Sequence, residues 1–271
     1  MAEKFIYEAE VLANEEIAPH ILKMTMSAPD ASDVALPGQF INVYPKSDKL
    51  ILPRPISICD ADVEEGPLVI VYDVIGAGTD ELSRMTRGDI IKISSPLGNG
   101  FPAPAVPGAP VLLVGGGVGT APMLFLAKRL AAQGSRITAV TGFRKDPFLT
   151  EELRHADCRT LVTTDMPNEH SFVGNVVDCI EINQIEPGDD WTCYACGPRP
   201  MLKSLYGYIS SMNEKTTVFV SLEERMGCGY GACVGCVTDI RTGKDSEGND
   251  IIKKYKVCKD GPVFNGKAVV W

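Results

Sequence analysis

Four cysteines near the C-terminus restrict the fold of this chain more than any other feature of its sequence. Cys228, Cys233 and Cys236 lie together in the segment GCGYGACVGC, and Cys258 follows after 21 further residues. The spacing is therefore C-x4-C-x2-C-x21-C. Three thiolates on one short loop, joined by a fourth from a distant segment, form one of the known ligand patterns of a 2Fe–2S cluster. The spacing predicts such a cluster, with these four cysteines as its metal ligands.

The cluster loop, residues 227–236, is also rich in glycine. Its glycines are Gly227, Gly229, Gly231 and Gly235. Such backbone can adopt positive φ and can direct N–H groups at inorganic sulfide. Two alternatives stay open at this point. Four cysteines also form structural zinc sites, although these usually combine two short C-x2-C pairs, and buried thiols can be chemically inert.

The composition is that of a globular protein with room for two or three domains. The chain has 271 residues, of which 45% are hydrophobic and 23% charged. A formal net charge of −9 argues against a nucleic-acid-binding protein. No apolar run approaches the length of about eighteen residues that crosses a bilayer, and the first residues lack a signal-peptide pattern. We therefore expect a cytoplasmic protein with reduced thiols that binds neither nucleic acid nor a membrane.

Apolar patterns and turn signals divide the chain into three parts. Residues 1–102 alternate short β-type runs with Pro/Gly turns, which is typical of a small antiparallel barrel. Residues 103–218 alternate strand and helix patterns, which indicates a doubly wound parallel sheet. Residues 219–271 contain the four cysteines. The predicted fold class is multi-domain: an antiparallel β-barrel, an α/β doubly wound parallel sheet and a small C-terminal 2Fe–2S domain.

The segment LPRPISICD, residues 52–60, places an arginine in a proline-stiffened turn before a β-type run. Arg54 is suited to a planar grip on phosphate, and Ser57 can offer a hydroxyl to a ring nitrogen. Further along, Gly76, Gly78 and Thr79 form a turn whose backbone amides can meet an anion. Each signal is weak alone, because an arginine between prolines is more often a surface charge and G-x-G-T is often only a turn.

A glycine-rich turn follows the first strand pattern of the second part. In VLLVGGGVGTAPM, Gly117 and Gly119 stand between a buried strand and a helix, whose N-terminus can bind phosphate. The usual dinucleotide fingerprint is absent, because the next strand ends in Arg144 and Lys145 rather than in an acidic residue. A turn that serves only strand–helix packing is the alternative. Asp165, at the end of a later strand, is a weaker candidate for the same pocket.

The Arg-x-x-Ser segment at 54–57, the G-x-G-T turn at 76–79 and PLGNGF at 96–101 resemble the flavin-binding barrel of the ferredoxin reductase superfamily. That barrel carries an Arg-x-Tyr/aliphatic-Ser/Thr motif, and Ile56 stands here where many members have tyrosine. The resemblance implies that Arg54 holds the FAD pyrophosphate and that Ser57 lies near the reactive flavin nitrogen as a catalytic residue. The FAD-binding residues that it implies are Arg54, Pro55, Ile56, Ser57, Val71, Tyr72, Asp73, Gly78 and Thr79.

The second part resembles the pyridine-nucleotide domain of the same superfamily. It has a G-x-G-T-A-P turn at 117–122 and a Cys-Gly-Pro turn at 196–198. The resemblance implies that NAD binds at Gly117, Gly119 and Thr120, and that Cys196 lies near the nicotinamide as a second catalytic residue. Cys193 and Cys196 also form a C-x2-C pair, but residues three apart on a strand face opposite sides, which argues against dithiol chemistry.

The order of barrel, nucleotide domain and cysteine tail resembles a narrower family, the electron-transfer subunits of type-B dihydroorotate dehydrogenases. The segments RPISI, SLEERMGCGYGACVGCV and KVCKDGPVF carry the likeness, and TTDMPNEHSFVG departs from the expected pattern after its aspartate. The resemblance implies an FMN-containing catalytic partner that oxidises dihydroorotate in pyrimidine biosynthesis, in a heterotetramer of two plus two. Electrons would pass from that partner through the 2Fe–2S cluster and FAD to NAD⁺.

Three other interpretations are open, one of them an oxygenase reductase, which is a more distant enzyme alternative. The nearest one keeps the architecture and changes the partner, as in the small subunit of a ferredoxin:NAD(P) oxidoreductase or of a sulfide dehydrogenase. In the ferredoxin-linked relatives the first cluster ligand is often Asp, whereas this chain has Cys228. The third interpretation is a zinc-stabilised binding module without redox activity. No acid–base site is predicted, because His20, His155 and His170 are scattered along the sequence.

Overall fold

The computed structural model describes residues 6–62, 66–104, 106–167, 169 and 171–271 of the chain. The described residues form a barrel, a parallel sheet flanked by helices and a cysteine-rich C-terminal part, in that order. The three-part fold class predicted from the sequence is confirmed. His170, one of the scattered histidines, lies outside the described residues.

Six strands form the N-terminal barrel: β1 (Ile6–Ala18), β2 (Ile21–Ser27), β3 (Phe40–Tyr44), β4 (Arg54–Ala61), β5 (Pro67–Asp73) and β6 (Ile90–Ser94). All neighbours are antiparallel, and the barrel closes in the order β1-β2-β5-β4-β3-β6. Alternate side chains point inward, as the two-residue period of a strand requires. The barrel core includes Met24, Met26, Ile41, Ile58 and Ile70. Two short helices, α1 (Pro29–Ser32) and α2 (Ala77–Ser83), connect strands.

The second part is built on six parallel strands: β7 (Val111–Gly116), β8 (Ile137–Phe143), β9 (Cys158–Thr164), β10 (Phe172–Val173), β11 (Thr192–Cys196) and β12 (Thr217–Ser221). Their order is β10-β9-β8-β7-β11-β12, so the chain reverses direction across the sheet beside β7. Every residue of β7 is buried, because helices cover both faces of such a sheet. The predicted boundary at 218/219 falls inside β12.

Four helices pack on this sheet: α3 (Thr120–Ala131), α4 (Thr150–His155), α5 (Val176–Ile182) and α6 (Arg199–Met212). A single 3-10 turn, Gly117–Gly119, leads from β7 into α3. Asn175 caps α5, because its side chain accepts hydrogen bonds from two backbone N–H groups of the first turn. Within the described part of the chain, no helix combines the length and the apolar character needed to cross a membrane.

The C-terminal part contains a hairpin of β13 (Val237–Lys244) and β14 (Asp250–Lys256), then helix α7 (Val257–Asp260) and strand β15 (Val263–Asn265). Strand β15 pairs antiparallel with β12 and becomes the seventh strand of the sheet. From the barrel, the Asn99 side chain donates to the carbonyl of Val263 and accepts from its N–H, both at 2.9 Å. The cysteine-rich part is therefore bound to the other two parts.

The barrel and the parallel sheet also contact each other directly. Helix α3 lies against β4, where Lys128 forms an ion pair with Asp60. Lys23 pairs with Glu152 at 3.4 Å across the same boundary. Between the two pairs, Cys59 is buried in a hydrophobic cluster shared by both parts. The relative position of barrel and sheet is thus fixed by packing as well as by charge.

Candidate cofactor sites

The four predicted metal ligands lie in one region of the C-terminal part. Cys228, Cys233 and Cys236 belong to the cluster loop between β12 and β13, and Cys258 is carried by α7. Cys236 and Cys258 are buried, whereas the other two are partly exposed. The N–H of Val257 donates to the Cys236 carbonyl at 2.8 Å, which holds α7 against the loop.

The thiols meet as two pairs. The N–H of Cys233 donates to Sγ of Cys228 at 3.4 Å, and the N–H of Cys258 donates to Sγ of Cys236 at 3.5 Å. Besides the effect of burial, the Cys233 thiol lowers the pKa of Cys228, and the Cys236 thiol raises that of Cys258. Among the described residues, no three His, Cys, Asp or Glu side chains surround one common point. Two pairs of soft sulfur ligands suit the two irons of a 2Fe–2S cluster, each of which takes two thiolates.

The cluster loop stabilises negative charge on sulfur. Burial raises the pKa of Cys228, but hydrogen bonds from the backbone of Cys233, Tyr230 and Ala232 outweigh it and lower that pKa to about 6. Burial and the neighbouring Cys236 thiol raise the pKa of Cys258 to about 12. Successive N–H groups that favour one thiolate form an anion-binding concavity, which fits a negatively charged metal–sulfur cluster.

Only two of the four loop glycines require glycine for their conformation. Gly229 has φ +75°, and a Cβ there would lie 2.5 Å from the amide atoms of Asn42. Gly231 has φ +91°, and its Cβ would lie 2.8 Å from Lys259. The predicted positive φ is thus found at these two positions. At Gly227 and Gly235 a Cβ would make only ordinary contact with Sγ of Cys233, at 3.5 and 3.6 Å, so the space at these positions would also admit a side chain.

On the barrel, Arg54 and Gly78 lie in direct contact. Arg54 is the first residue of β4, and its Nη1 donates to the Leu52 carbonyl at 2.5 Å. A Cβ at Gly78 would overlap the guanidinium group, so glycine is needed for the arginine to lie over this turn. The arginine also borders an open cleft of about 790 Å³. The cleft is lined by Lys49, Leu50, Ile51, Leu52, Pro53, Arg54, Pro55, Glu223, Glu224, Arg225 and Met226.

The other predicted flavin residues are placed less uniformly. Ser57 is partly exposed and faces Phe40 across the β3–β4 pairing, whereas Ile56 is buried in the barrel core. Tyr72 is also buried, and its hydroxyl donates to Oδ1 of Asn14 at 3.0 Å. Closure of the barrel therefore turns Ile56 and Tyr72 inward.

Three further predicted residues occupy the end of β5 and the start of α2. Val71 is buried at the boundary with the parallel sheet, and Asp73 is partly exposed. The Thr79 hydroxyl accepts from the N–H groups of Ile75 and Gly76, so it closes the turn before α2. These contacts give Thr79 a structural task beside its predicted role at phosphate.

The two glycine turns predicted for NAD meet at the carboxyl edge of the parallel sheet. A Cβ at Gly119 would overlap the Cys196 carbonyl and lie 2.8 Å from the N–H of Gly197. Beside Gly117, by contrast, a Cβ would find no atom within 4 Å. Thr120 is fully buried, and its hydroxyl has no hydrogen-bond partner among the described residues. The edge thus combines open backbone at Gly117 with close contact between β7 and β11, the place where such sheets bind nucleotides.

Cys196 is paired with residues that the sequence did not single out. Burial raises its pKa to about 12, although a hydrogen bond with Ser221 acts in the opposite direction, and nearby Glu223 raises it further. The thiol is therefore neutral at physiological pH. Cys193 is buried on the opposite face of the sheet, which agrees with the parity argument against a dithiol. Ser221 and Glu223 belong to no sequence motif. Ser221 reaches Cys196 through the pairing of β11 with β12.

Fold and sites together define a class, a reductase with a flavin-type barrel, a nucleotide-type parallel sheet and an iron–sulfur domain. One solved structure with this fold is that of the NADH-dependent reduced ferredoxin-NADP oxidoreductase. The match to one of its chains covers 97% of this chain and 90% of that chain, at 31% identity and TM-score 0.83. A ferredoxin NADP⁺ reductase from Neisseria gonorrhoeae shares the fold over 77% of this chain and 92% of its own, at 19% identity and TM-score 0.61.

A family model described as the iron-sulfur cluster binding domain of dihydroorotate dehydrogenase B matches residues 223–270. The electron transfer subunit of dihydroorotate dehydrogenase B (NAD(+)) from Bacillus caldolyticus is 39% identical over 263 residues, 96% of either chain. The subunit of the same name from Listeria innocua is 36% identical over 266 residues, 97% of this chain and 98% of its own. The chain belongs to the family of dihydroorotate dehydrogenase B electron transfer subunits.

Proposed function

We propose that this chain carries electrons from a partner subunit that oxidises dihydroorotate to NAD⁺, through one 2Fe–2S cluster and one FAD. The observation that carries the proposal is the contact between the cysteine-rich part and the barrel strand beside the flavin motif. Phe40 of β3 packs in the same hydrophobic cluster as Cys236 and Cys258, and its partner on β4 is Ser57. A group held by the cysteines and a group held at Ser57 would both border this residue pair.

FAD would bind along β4, with the Arg54 guanidinium at its pyrophosphate. The positive charge of Arg54 and the small size of Gly78 suit a planar, bidentate grip on phosphate oxygens. The Ser57 hydroxyl, three residues further along β4, would donate to the flavin ring. Bound FAD supplies the conversion between the single electrons of an iron–sulfur cluster and the electron pair that NAD⁺ accepts.

NAD would bind at the carboxyl edge of the parallel sheet. The exposed backbone at Gly117 can approach the pyrophosphate closely, and Gly119 and Thr120 begin the turn into α3. The neutral Cys196 thiol would lie beside the nicotinamide. Because it is uncharged, it would neither attract nor repel the positively charged ring of NAD⁺. The roles of these residues remain predictions that substitution can test.

A first experiment separates this chain from its partner. The purified chain should oxidise NADH with an artificial electron acceptor but should not turn over dihydroorotate, because no substrate-like acid–base site is predicted in it. Dihydroorotate turnover should appear when an FMN-containing dihydroorotate dehydrogenase subunit is co-expressed. Oxidation of dihydroorotate by the isolated chain would contradict the division of labour.

Substitution at Gly78 tests the FAD site. Gly78→Ala should weaken FAD binding about tenfold or more, because the new Cβ displaces the Arg54 guanidinium, and a hydrogen bond to a charged group accounts for such a factor. Gly76→Ala is the matched control, since a Cβ there meets no atom within 4 Å and the residue is extended. Equal FAD affinity in the two variants, measured by titration of the apoprotein, would count against the site.

The name of the relatives, an electron transfer subunit, implies a catalytic partner. We infer that this partner carries FMN, that two copies of each chain assemble, and that the partner covers the cluster loop. Val234 and Tyr230 of that loop are 74% and 47% exposed, and electron transfer between proteins requires a short gap. The reduced thiols of the loop also favour a cytoplasmic location.

Val234→Glu tests the position of the partner. A carboxylate buried in the interface should weaken association about tenfold or more, as loss of a central apolar contact does. Ile182→Glu is the control, because Ile182 is 61% exposed on α5, outside the cluster loop. Association measured by co-purification and sedimentation should fall only for the first variant. An equal loss in both variants would place the interface elsewhere.

A second candidate function changes the donor. The 31% identity and TM-score of 0.83 with the chain of the reduced ferredoxin-NADP oxidoreductase favour it. In that case the partner would exchange electrons with ferredoxin rather than with dihydroorotate. Isolation of the native complex, followed by identification of the partner and its substrate, separates the two candidates.

A further inference from the structure

One buried polar side chain of the barrel has no role in the sites described so far. Asn42 of β3 has 0% exposure, and its backbone N–H donates to Oγ of Ser94 at 2.9 Å. Its side chain leaves the barrel instead of entering the core. Nδ2 donates to the backbone carbonyl of Cys228 at 2.9 Å, across 186 residues of sequence. A barrel residue thus binds the first predicted cluster ligand directly.

The orientation of this amide is fixed. The Cys228 carbonyl can only accept a hydrogen bond, so the Asn42 nitrogen must face it. The other amide atom, Oδ1, is buried and has no partner among the described residues. Gly229 packs so closely that a Cβ would lie 2.5 Å from both amide atoms. The loop and the amide are therefore matched in shape. The buried Oδ1 without a partner costs free energy, so an amide is not the side chain expected here for packing alone.

Asn42 lies between the two predicted cofactor regions. Phe40, two residues earlier on the same strand, packs in one cluster with Cys236 and Cys258. Across the β3–β4 pairing, Asn42 is opposite Pro55, which lines the cleft next to Arg54. The same short strand segment therefore hydrogen-bonds to Cys228 through Asn42 and pairs with the wall of the cleft at Pro55.

We propose that Asn42 is a positioning residue for electron transfer between the 2Fe–2S cluster and FAD, because it ties the Cys228 end of the cluster loop to the flavin face of the barrel. The inference rests on the proposed function. Its hydrogen bond sets the distance and orientation of the loop relative to β4.

The test compares Asn42→Leu with Asn99→Leu in the full chain loaded with both cofactors. Leucine is close to asparagine in size and removes the amide. Asn99 also bridges the barrel to the C-terminal part, through two hydrogen bonds to Val263 of β15 at 2.9 Å and a longer one to the Asp260 carbonyl at 3.5 Å, none of them to the cluster loop. NADH is mixed with each variant without air, and reduction of the flavin and then of the cluster is followed by absorbance and by electron paramagnetic resonance.

In Asn42→Leu, flavin reduction by NADH should be unchanged and cluster reduction should slow about tenfold, the effect of one lost hydrogen bond to a positioned group. The resonance spectrum of the reduced cluster should shift, and hydrogen exchange of residues 227–235 should accelerate. The thermal midpoint should change less than in Asn99→Leu. Asn99→Leu should lose stability while it retains wild-type cluster reduction and spectrum.

Asn42→Asp provides a second variant of nearly the same shape. When ionised it keeps acceptors but cannot donate to Cys228, so at a pH where it is ionised it should reproduce the slow cluster reduction and the altered spectrum. Wild-type transfer and spectrum in both Asn42 variants would overturn the inference, as would equal slowing in Asn99→Leu. Absence of iron from the wild-type chain would instead overturn the proposed function, so the two failures are distinguishable.

Discussion

Cys233→Ser should remove the 2Fe–2S cluster while FAD stays bound. Cys233 is paired with Cys228, so its loss leaves one iron with a single protein thiolate. Arg54 and Gly78 lie on the barrel and do not depend on the cluster loop for their contact. Iron and acid-labile sulfide should fall close to zero, and flavin content should match that of the unaltered chain. NADH oxidation with a flavin-level acceptor should persist, whereas electron transfer to the partner should stop.

The control for this experiment is Cys158→Ser. Cys158 begins β9 and is buried in the parallel sheet, where its thiol donates to the Ala156 carbonyl at 3.5 Å. This variant should keep both cofactors. Full iron content in Cys233→Ser would show that the residue is not a ligand. The prediction that these four cysteines together hold the cluster would then be wrong.

Gly119→Ala should weaken productive NADH binding about a hundredfold. The added Cβ would overlap the Cys196 carbonyl and lie 2.6 Å from its carbonyl carbon, and backbone atoms cannot rotate away as a side chain can. Overpacking of this kind costs about 1–3 kcal/mol and displaces backbone. A displacement of about 1 Å at a reacting site can lower the rate a hundredfold. We expect kcat/KM for NADH to fall by about that factor, with FAD content unchanged.

Gly207→Ala is the matched control in the same part of the chain. Gly207 lies within α6, and a Cβ there meets no atom within 4 Å. Alanine in a helix is favoured over glycine by about 0.5–1 kcal/mol, so this variant should be slightly more stable and fully active. If Gly119→Ala kept wild-type steady-state kinetics with NADH, the contact between the two glycine turns would have no part in nucleotide binding.

The sequence predicted what is encoded in local spacing. The three cysteines of the cluster loop and the glycine turn before α3 are short segments whose chemistry depends on neighbouring residues, so they could be recognised without coordinates. The alternation of strand and helix patterns likewise predicted the parallel sheet. Residues 219–271 were expected to form a separate domain, yet β12 spans the proposed boundary and β15 joins the sheet. A three-residue strand has too short a pattern to reveal that pairing.

Other features depend on tertiary contacts and could not be predicted. Asn42 reads as an ordinary position in an apolar strand, and its partner Cys228 is 186 residues away. Ile56 and Tyr72 belong to the motif implied by the family resemblance, but barrel closure turns both into the core. Ser221 reaches Cys196 only because β11 and β12 are neighbours in the sheet. Long-range pairing, rather than propensity, decides each of these cases.

The most direct test is the metal and sulfide content of the chain purified without air. The two pairs of thiols, three on the cluster loop and one on α7, should hold about two irons and two sulfides per chain, the stoichiometry of a 2Fe–2S cluster. Anaerobic NADH should then bleach the iron–sulfur absorbance through the flavin. Zinc in place of iron, or a chain free of both iron and sulfide, would contradict the account.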